Sequence, residues 1–395
     1  MERKTIIIAG GGYAGLHLLR KLTRKISTDS DVDIRIILID KNPEHLQKIL
    51  LFKAIVHGMN LKIPYEKFCG EKAEFINGEI VSIKGSENTI TYVKHGELYN
   101  LSFDYLVFAL GSTVRPAPPE RGGYTLANME SAVEIRKEIL RWHDANSSAS
   151  MKLCIAGGGI SGIETAADMA IWFREEIRRP SEVILINSEK TLLPHLPKKV
   201  GEKIEKELQK LGVRVIHGHK AEGHRDGHIE YSNKTKEKAD LCIWVTGLIP
   251  NPAIRKLGMP VNSSGRVNVN PFYQVEGNTN IFAIGDAAAI RDPESGSIAG
   301  MTCKEAIDQA GRLCKNIELD IKGKQKMPHK PYTDLYCINL GYNNGLVWIR
   351  KWGIDILIGG ILGAKFRTFT WDLANWVPKQ EEAHWPRKWK YRHYM

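Results

Sequence analysis

A short glycine pattern occurs twice in the chain, each time directly after a run of aliphatic residues. The first copy follows Thr5 to Ala9 and reads Gly10-x-Gly12-x-x-Gly15. The second copy follows Leu153 to Ala156 and reads Gly157-x-Gly159-x-x-Gly162, so that corresponding glycines are 147 positions apart. This arrangement predicts a strand, a tight turn and a helix at both places.

Each glycine has its own steric role in such a turn. The first allows the tight turn, the second lets a pyrophosphate approach the backbone, and the third lets the helix pack on the strand. Asp40 ends the next predicted strand of the first unit, where a carboxylate can accept hydroxyl protons of a ribose. Asn187 is its counterpart in the second unit. We therefore expect two dinucleotide-binding sites in one chain.

Three further segments of the chain resemble one another. Residues 103–111 and 239–247 both read as a buried strand that runs into a glycine turn, and residues 279–286 form a third such element that ends in Gly285-Asp286. An Asp at the carboxyl end of a parallel strand faces the crevice in which ligands bind.

These motifs, together with Thr246-Gly247-x-x-Pro250-Asn251, resemble the motif series of the two-dinucleotide flavoprotein reductases over residues 5 to about 320. The resemblance implies an α/β fold with two Rossmann-like domains, in which an NAD(P)H domain is inserted into an FAD domain. The expected boundaries are 1–115 and 266–328 for the FAD domain, 116–265 for the NAD(P)H domain, and 329–395 for a C-terminal region.

The resemblance also implies cofactor contacts, with FAD on the first fingerprint and the Gly-Asp pair, NAD(P)H on the second fingerprint, and no metal site. The expected contacts are Gly10, Gly12, Tyr13, Ala14, Gly15, Asp40, Lys41, Ala109, Gly111, Arg115, Gly285, Asp286, Gly157, Gly159, Ile160, Ser161, Gly162, Asn187, Thr246 and Gly247. Asn187 replaces the acid that favours NADH in this family by repelling a 2′-phosphate. Its neutral side chain admits NADPH, which Lys190 would assist and Glu189 would oppose.

Within that superfamily, the type II NADH:quinone oxidoreductases are the most similar. Residues 45–54 resemble their flavin-side loop, and residues 330–348 resemble the strand segment before their C-terminal membrane-binding helices. These enzymes pass two electrons from NAD(P)H through FAD to a membrane quinone. The resemblance implies three catalytic candidates: Glu164 near the nicotinamide and flavin, Lys48 beside the flavin, and Gln309 beside the quinone. Glu164 could instead be an ordinary first-turn acid, and Lys48 could face only solvent.

The sequence differs from the type II enzymes at the position expected to lie beside the electron acceptor. Lys304-Glu305 stands where type II enzymes usually carry Ala-Gln beside the quinone. A charged site could favour a different quinone head, another small oxidant or a protein acceptor.

The six cysteines do not suggest a dithiol mechanism. None lies between His45 and Gly58, where disulfide reductases carry their redox pair, and none has CxxC spacing. Cys303 and Cys314 lie about 16 Å apart along a predicted helix. The cysteines are predicted to be small buried hydrophobes in a reducing compartment.

The charge of the chain is concentrated near its C-terminus. The formal net charge is +11, which favours a nucleic acid, an anionic membrane surface or a phosphate-bearing ligand. The last 48 residues hold six of the nine tryptophans and nine Lys and Arg against four Asp and Glu. Apolar residues recur at helical spacing from Ile354 to Trp376, which predicts an amphipathic helix in a membrane headgroup region, with a core or dimer helix as the alternative.

These observations leave three hypotheses for function. The first is a peripheral FAD enzyme on the cytoplasmic side of a membrane, which reduces a quinone with NAD(P)H. The second is a soluble reductase of a small redox protein such as ferredoxin or rubredoxin, whose C-terminal helix packs in a homodimer. A nucleic-acid-binding flavoprotein is the least supported, because no basic-aromatic module is visible outside the tail. No apolar run is long enough to predict a transmembrane helix.

Overall fold

A computed structural model describes residues 3–29, 33–145, 150–178 and 180–375. The elements of its first part are β1 (Arg3–Ala9), α1 (Tyr13–Asp29), β2 (Asp33–Asp40), β3 (Glu44–Leu46), α2 (Leu51–His57), β4 (Lys62–Pro64), α3 (Glu66–Cys69), β5 (Glu74–Asn77), β6 (Glu79–Lys84), β7 (Thr89–Lys94), β8 (Glu97–Ser102), β9 (Tyr105–Phe108) and β10 (Ser112–Val114).

The middle part begins again with a short strand before a long helix. Its elements are β11 (Tyr124–Thr125), α4 (Met129–Ala145), β12 (Met151–Ala156), α5 (Ile160–Trp172), β13 (Ser181–Asn187), α6 (Lys198–Lys210), β14 (Val213–His217), β15 (Ala221–Arg225), β16 (His228–Tyr231), β17 (Lys236–Lys238), β18 (Leu241–Trp244) and β19 (Leu248–Pro250).

The last part contains a long helix and a three-stranded sheet. Its elements are α7 (Ala253–Lys256), β20 (Val267–Asn268), β21 (Ile281–Ala283), β22 (Ala288–Ala289), α8 (Cys303–Ile321), β23 (Leu335–Asn339), β24 (Gly345–Lys351), β25 (Ile354–Gly359) and α9 (Gly360–Ala374).

The first large sheet is parallel, with strand order β21-β9-β1-β2-β5. Successive residues of β1 point to opposite faces: Ile6 and Ile8 pack with helices α1 and α8, whereas Ile7 and Ala9 pack in a second core on the other face. Because both faces are covered, the strand is a continuous aliphatic run and does not alternate with polar residues.

The second large sheet repeats this design, with parallel strands in the order β11-β18-β12-β13-β14. All of its strands lie between residues 124 and 244, whereas β21 returns to the first sheet afterwards. The two Rossmann-like sheets and the insertion of the second into the first are therefore confirmed. The residue boundaries of the domains stay predictions.

The C-terminal part is a three-stranded antiparallel sheet followed by helix α9. Ile338, Leu346 and Trp348 belong to the same core as the buried faces of α2, α4 and α5. Trp371 of α9 joins this core as well. The sheet and α9 thereby close over the place where the two nucleotide-binding units meet.

The prediction of a helix from Ile354 onward is wrong in its first part. Residues 354–359 form β25, which pairs with β24, and the helix begins only at Gly360. Ile354, Ile356 and Ile358 alternate with other residues, and β-branched side chains at every second position favour a strand. Gly360, with a φ of +66°, separates strand from helix. Trp376 and the basic aromatic tail lie outside the described residues.

Candidate active site

The first glycine loop connects β1 to α1 in the predicted geometry. Gly10 has a φ of +105°, and a side-chain carbon on Gly15 would lie 2.0 Å from the Gly10 carbonyl oxygen. By contrast, a carbon on Gly12 would meet only the Ala109 carbonyl, at 4.0 Å. The outer glycines are needed for the turn itself, whereas Gly12 faces free space at a helix N-terminus. Such a loop fits a pyrophosphate.

The second glycine loop connects β12 to α5 and has the same division of roles. Gly157 has a φ of +139°, and a carbon on Gly162 would lie 1.8 Å from the Gly157 carbonyl oxygen. Gly159 has nothing within 4 Å of the corresponding position. The second loop therefore fits a second dinucleotide.

Asp40 is held at the end of β2 by the first glycine loop. Its Oδ2 accepts hydrogen bonds from the Gly11 amide at 2.8 Å and the Tyr65 hydroxyl at 3.3 Å, and its Oδ1 accepts one from the Asn42 amide at 2.8 Å. Asp40 and Lys41 both line the cleft described below. The carboxylate thus has a fixed orientation beside the predicted ribose position.

Asn187 occupies the corresponding position in the second unit but is used differently. Its buried amide nitrogen donates to the carbonyl oxygens of Glu189 and Thr191 at 3.0 and 2.9 Å. It also donates to Nδ1 of His217 at 3.0 Å, and Nε2 of the same ring donates to Glu205. Asn187 therefore holds the loop after β13, and its neutral side chain places no negative charge there.

One cleft of about 1430 Å³ connects the two nucleotide-binding units. It reaches from the first glycine loop, past the N-terminus of α5, to the start of α8 and the strand β23. The predicted residues on its wall are Gly10, Gly12, Tyr13, Ala14, Asp40, Lys41, Lys48, Ala109, Gly111, Ile160, Ser161, Glu164, Gly285 and Asp286.

Several predicted cofactor residues lie outside this wall. They are Gly15, Arg115, Gly157, Gly159, Gly162, Asn187, Thr246 and Gly247. Gly15, Gly157 and Gly162 shape the two turns, and the Arg115 amide donates to the Gly247 carbonyl where the two units are joined. Gly15, Arg115, Gly157, Gly162 and Gly247 therefore have structural contacts, and the contacts of all eight residues with cofactor stay predictions.

Lys48 lies on the wall of the cleft and is connected through Ser112 to Asp286. Its Nζ donates to the Ser112 carbonyl at 2.9 Å, and the Ser112 hydroxyl donates to Oδ2 of Asp286 at 2.6 Å. Burial lowers the pKa of Lys48 and raises the pKa of Asp286. The lysine thus approaches the Gly285-Asp286 turn through Ser112 and faces the cleft.

Gln309 lies behind the cleft and is fully buried. Its Oε1 accepts a hydrogen bond from the Gly285 amide at 2.7 Å. Gln309 does not belong to the cleft wall, so its direct contact in this structure is with the Gly285 turn. A direct role beside an acceptor stays a prediction.

Glu164 is the centre of a buried charge network that sequence reasoning missed. Arg367 of α9 donates to both carboxylate oxygens of Glu164, and the Asn339 amide donates to one of them at 2.8 Å. The Asn339 side chain donates to Asp168, which is also paired with Lys53. Four of these side chains carry charge, and all are at most 7% exposed. The network joins α2, α5, β23 and α9.

This network has no local signal in the sequence. Glu164 and Arg367 are 203 positions apart, and neither spacing nor composition relates them. The one available hint was Arg367 in a mostly apolar segment, because an arginine that becomes buried there needs a carboxylate partner.

The cysteines are all free in this structure, as expected. Cys303 and Cys337 line the far end of the cleft, beside Lys304 and Arg367. Burial raises the pKa of both thiols, which favours the unreactive protonated form.

Two units with glycine loops that share one cleft define an oxidoreductase that binds two dinucleotides. Residues 4–310 match the family described as Pyridine nucleotide-disulphide oxidoreductase. The chain therefore belongs to this family, is an oxidoreductase, and uses FAD and NAD(P)H as cofactors.

One curated relative and two solved structures show which members of the family this chain is similar to. The demethylphylloquinone reductase NdbB of Synechocystis is 26% identical over 349 residues, which cover 85% of each chain. The structure of NDH2 from Plasmodium falciparum in complex with NADH has a TM-score of 0.80, at 17% identity over 94% of both chains. A putidaredoxin reductase–putidaredoxin complex has a TM-score of 0.68, at 22% identity over 88% of this chain and 82% of that chain. The two structural likenesses concern the fold alone.

Proposed function

We propose that the protein passes two electrons from NAD(P)H through FAD to a quinone at a membrane surface. The observation that carries this proposal is one continuous cleft, which runs from the first glycine loop, past Ile160 and Ser161 at the start of α5, to a third region between α8, β23 and α9. A donor, a flavin and an acceptor each need a place, and the third region provides one. The quinone reductase NdbB, which matches 85% of the chain, supports the same acceptor class.

The cofactors supply the hydride chemistry, and the protein orients them and sets the charges around them. The loops at Gly12 and Gly159 would receive the two pyrophosphates, and Asp40 the flavin-side ribose. Lys48 would face the flavin from the Ser112 side of the cleft. Glu164 would act through its fixed position on the cleft wall and not as an unpaired charge, because Arg367 already binds both of its carboxylate oxygens.

The membrane part of the proposal rests on an exposed apolar surface formed by β25 and α9. Its members are Trp352, Ile354, Ile356, Ile361, Leu362, Phe369 and Leu373, which are 44–87% exposed. Leu362, Phe366, Phe369 and Leu373 follow helical spacing on the outer face of α9, and Lys351 and Lys365 add positive charge nearby. Apolar residues beside cations suit a helix that lies in the headgroup region. In the described part of the chain, no helix is long and apolar enough to cross a bilayer.

A steady-state comparison tests the proposal. Purified protein with bound flavin is assayed with NADH and with NADPH, against a quinone analogue and against ferricyanide, with and without anionic lipid vesicles. We expect quinone reduction with at least one nicotinamide, and co-sedimentation with the vesicles. Ferricyanide reduction without quinone reduction would exclude the proposed acceptor.

A soluble reductase of a small redox protein is the second candidate, because the putidaredoxin reductase fold covers most of this chain. That function requires no lipid binding. It predicts that ferredoxin or rubredoxin re-oxidises the flavin faster than a quinone does, and that the protein stays in the supernatant with vesicles.

A further inference from the structure

The acceptor end of the cleft contains an ammonium group in an unfavourable place. Lys304 is the second residue of α8, and its side chain lies on the cleft wall. Its Nζ donates to the Leu335 carbonyl at 2.5 Å and lies 5.5 Å from the centre of the Tyr336 ring. A carbonyl oxygen and a ring face leave one of the three N–H donors of the ammonium for another partner.

Electrostatics in this region oppose a cation. The first turn of a helix carries positive partial charge, which disfavours Lys there. Burial independently lowers the pKa of Lys304, since the charged form loses its hydration. The fold therefore keeps a lysine where the helix dipole and burial both disfavour a positive charge.

Two neighbouring carboxylates, Glu305 and Glu164, are bound by other groups. Glu305 accepts from the Gly300 amide at 2.7 Å and the Thr302 hydroxyl at 2.7 Å, which turns it away. Glu164 is bound in both oxygens by Arg367. At this end of the cleft, the Lys304 ammonium thus has no ion pair with a carboxylate among the described residues.

We propose that Lys304 binds the carbonyl oxygen of the quinone and donates the proton that this oxygen needs on reduction. The inference rests on the proposed function. When the flavin is bound, it would supply the hydride and Nζ of Lys304 the proton that together convert the quinone to the hydroquinone. NAD(P)H would supply the electrons, and water would reprotonate the amine. A lowered amine basicity suits a proton donor at neutral pH.

This assignment also defines a substrate class. An ammonium in a partly desolvated cleft attracts an oxyanion more strongly than a neutral carbonyl. Quinones with an ionised ring hydroxyl are therefore favoured over their unsubstituted counterparts. The probe pair is 2-hydroxy-1,4-naphthoquinone, which is an anion at neutral pH, and 1,4-naphthoquinone.

The two half-reactions are measured separately by rapid mixing, with bound flavin absorbance as the signal. In Lys304→Gln, flavin reduction by NAD(P)H should match the wild type within about twofold, whereas re-oxidation by either quinone should slow by about 10²-fold or more. Lys304→Arg keeps the charge but holds its proton too tightly. It should retain binding of 2-hydroxy-1,4-naphthoquinone, measured by titration of the oxidised protein, and still re-oxidise slowly.

Lys315→Gln is the matched control, because Lys315 lies on the same helix and pairs with Glu318. It should behave as the wild type in both half-reactions. Re-oxidation of Lys304→Gln at the wild-type rate, or equal affinity of the wild type for the two naphthoquinones, overturns the role of Lys304. If no quinone re-oxidises the wild-type flavin, the proposed function fails first and the inference fails with it.

Discussion

Arg367 and Glu164 meet through two parallel hydrogen bonds, with Nε 2.7 Å from Oε1 and Nη2 2.9 Å from Oε2. Both side chains are buried, at 7% and 2% exposure. The C-terminal helix is therefore attached to the first turns of the second nucleotide helix by charge as well as by packing. Burial opposes the charged form of Arg367, but the adjacent Glu164 carboxylate raises its pKa overall.

Removing one partner of this pair should be costly. Arg367→Met leaves an unmatched buried carboxylate and should lower the free energy of unfolding by about 3–5 kcal/mol. Glu164→Gln combined with Arg367→Met should recover part of this loss, because no unmatched charge is left. Denaturant unfolding measures both, with Lys84→Gln of the exposed Lys84–Glu87 pair as a control expected to change by less than about 1 kcal/mol. A double variant no more stable than Arg367→Met would contradict the explanation.

The glycines of the second loop should respond differently to alanine. Gly162→Ala places a carbon 1.8 Å from the Gly157 carbonyl and should lower the melting temperature. Gly159→Ala has free space and a φ of −76°, so the fold should be kept. Its methyl group should instead obstruct the pyrophosphate and raise the dissociation constant of NAD(P)H about tenfold, near 1.4 kcal/mol. Equal effects on melting would show that steric room does not separate the two positions.

Asn187→Asp should have two effects: it should destabilise the protein, and it should change the preference between NADH and NADPH. The amide donates to two carbonyl oxygens, and a carboxylate cannot. The loss of these donors should lower the free energy of unfolding by about 1–3 kcal/mol. Calorimetric binding of NADH and NADPH then checks the second effect, a weaker binding of NADPH because of the added negative charge. Asn233→Asp, in an exposed turn, is the control; unchanged stability of Asn187→Asp would argue against its role in the loop.

The outer face of α9 should determine binding to anionic vesicles. Leu362→Glu should weaken partitioning about tenfold or more, since burial of one leucine contributes about 1.5–3 kcal/mol. Leu98→Glu is the matched control, because both leucines are 68% exposed and Leu98 lies on β8, in another sheet. Ferricyanide reduction should stay unchanged in both variants. Equal sedimentation of the two variants with vesicles would exclude α9 as the contact.

His17 should make the stability of the protein depend on pH. Its Nε2 donates to the Ala374 carbonyl at 3.1 Å, and burial lowers its pKa to about 4. The unfolded chain, with a pKa near 6.5, binds the proton more tightly, so stability is lost as the pH falls from 6.5 toward 4. At about 1.4 kcal/mol per pKa unit, the loss should reach about 3 kcal/mol. His17→Gln should flatten the pH dependence of the unfolding free energy; a parallel curve would assign it to other groups.

Both Rossmann-like sheets could be predicted from the sequence because their signals are local. A strand, a glycine turn and a helix follow one another within 27 residues in the first unit and 22 in the second, and each glycine has a local steric reason. Asp40 and Asp286 were predicted in the same way, since each stands at the end of such a strand, whereas Lys48 was predicted from the resemblance of residues 45–54 to a flavin-side loop. All three line the cleft, and their contacts with cofactor stay predictions.

The remaining parts of the site depend on contacts between distant segments. Arg367 reaches Glu164 only because the three-stranded sheet turns α9 back over α5, and no local pattern contains that path. The misassigned residues 354–359 show a related difficulty. Their isoleucines fit both a two-residue and a near-four-residue period, and pairing with β24 determined the outcome.

Helix α9 presents Leu362 and Phe369 outward and Arg367 and Trp371 inward within 15 residues. Deleting the helix therefore removes two things at once: the exposed apolar face, and the Arg367 guanidinium that pairs with the buried Glu164. A shortened protein that no longer sediments with lipid could have lost its anchor, its fold, or both. The proposed membrane binding and the proposed catalysis can therefore be tested separately by single outward-facing substitutions, but not by truncation.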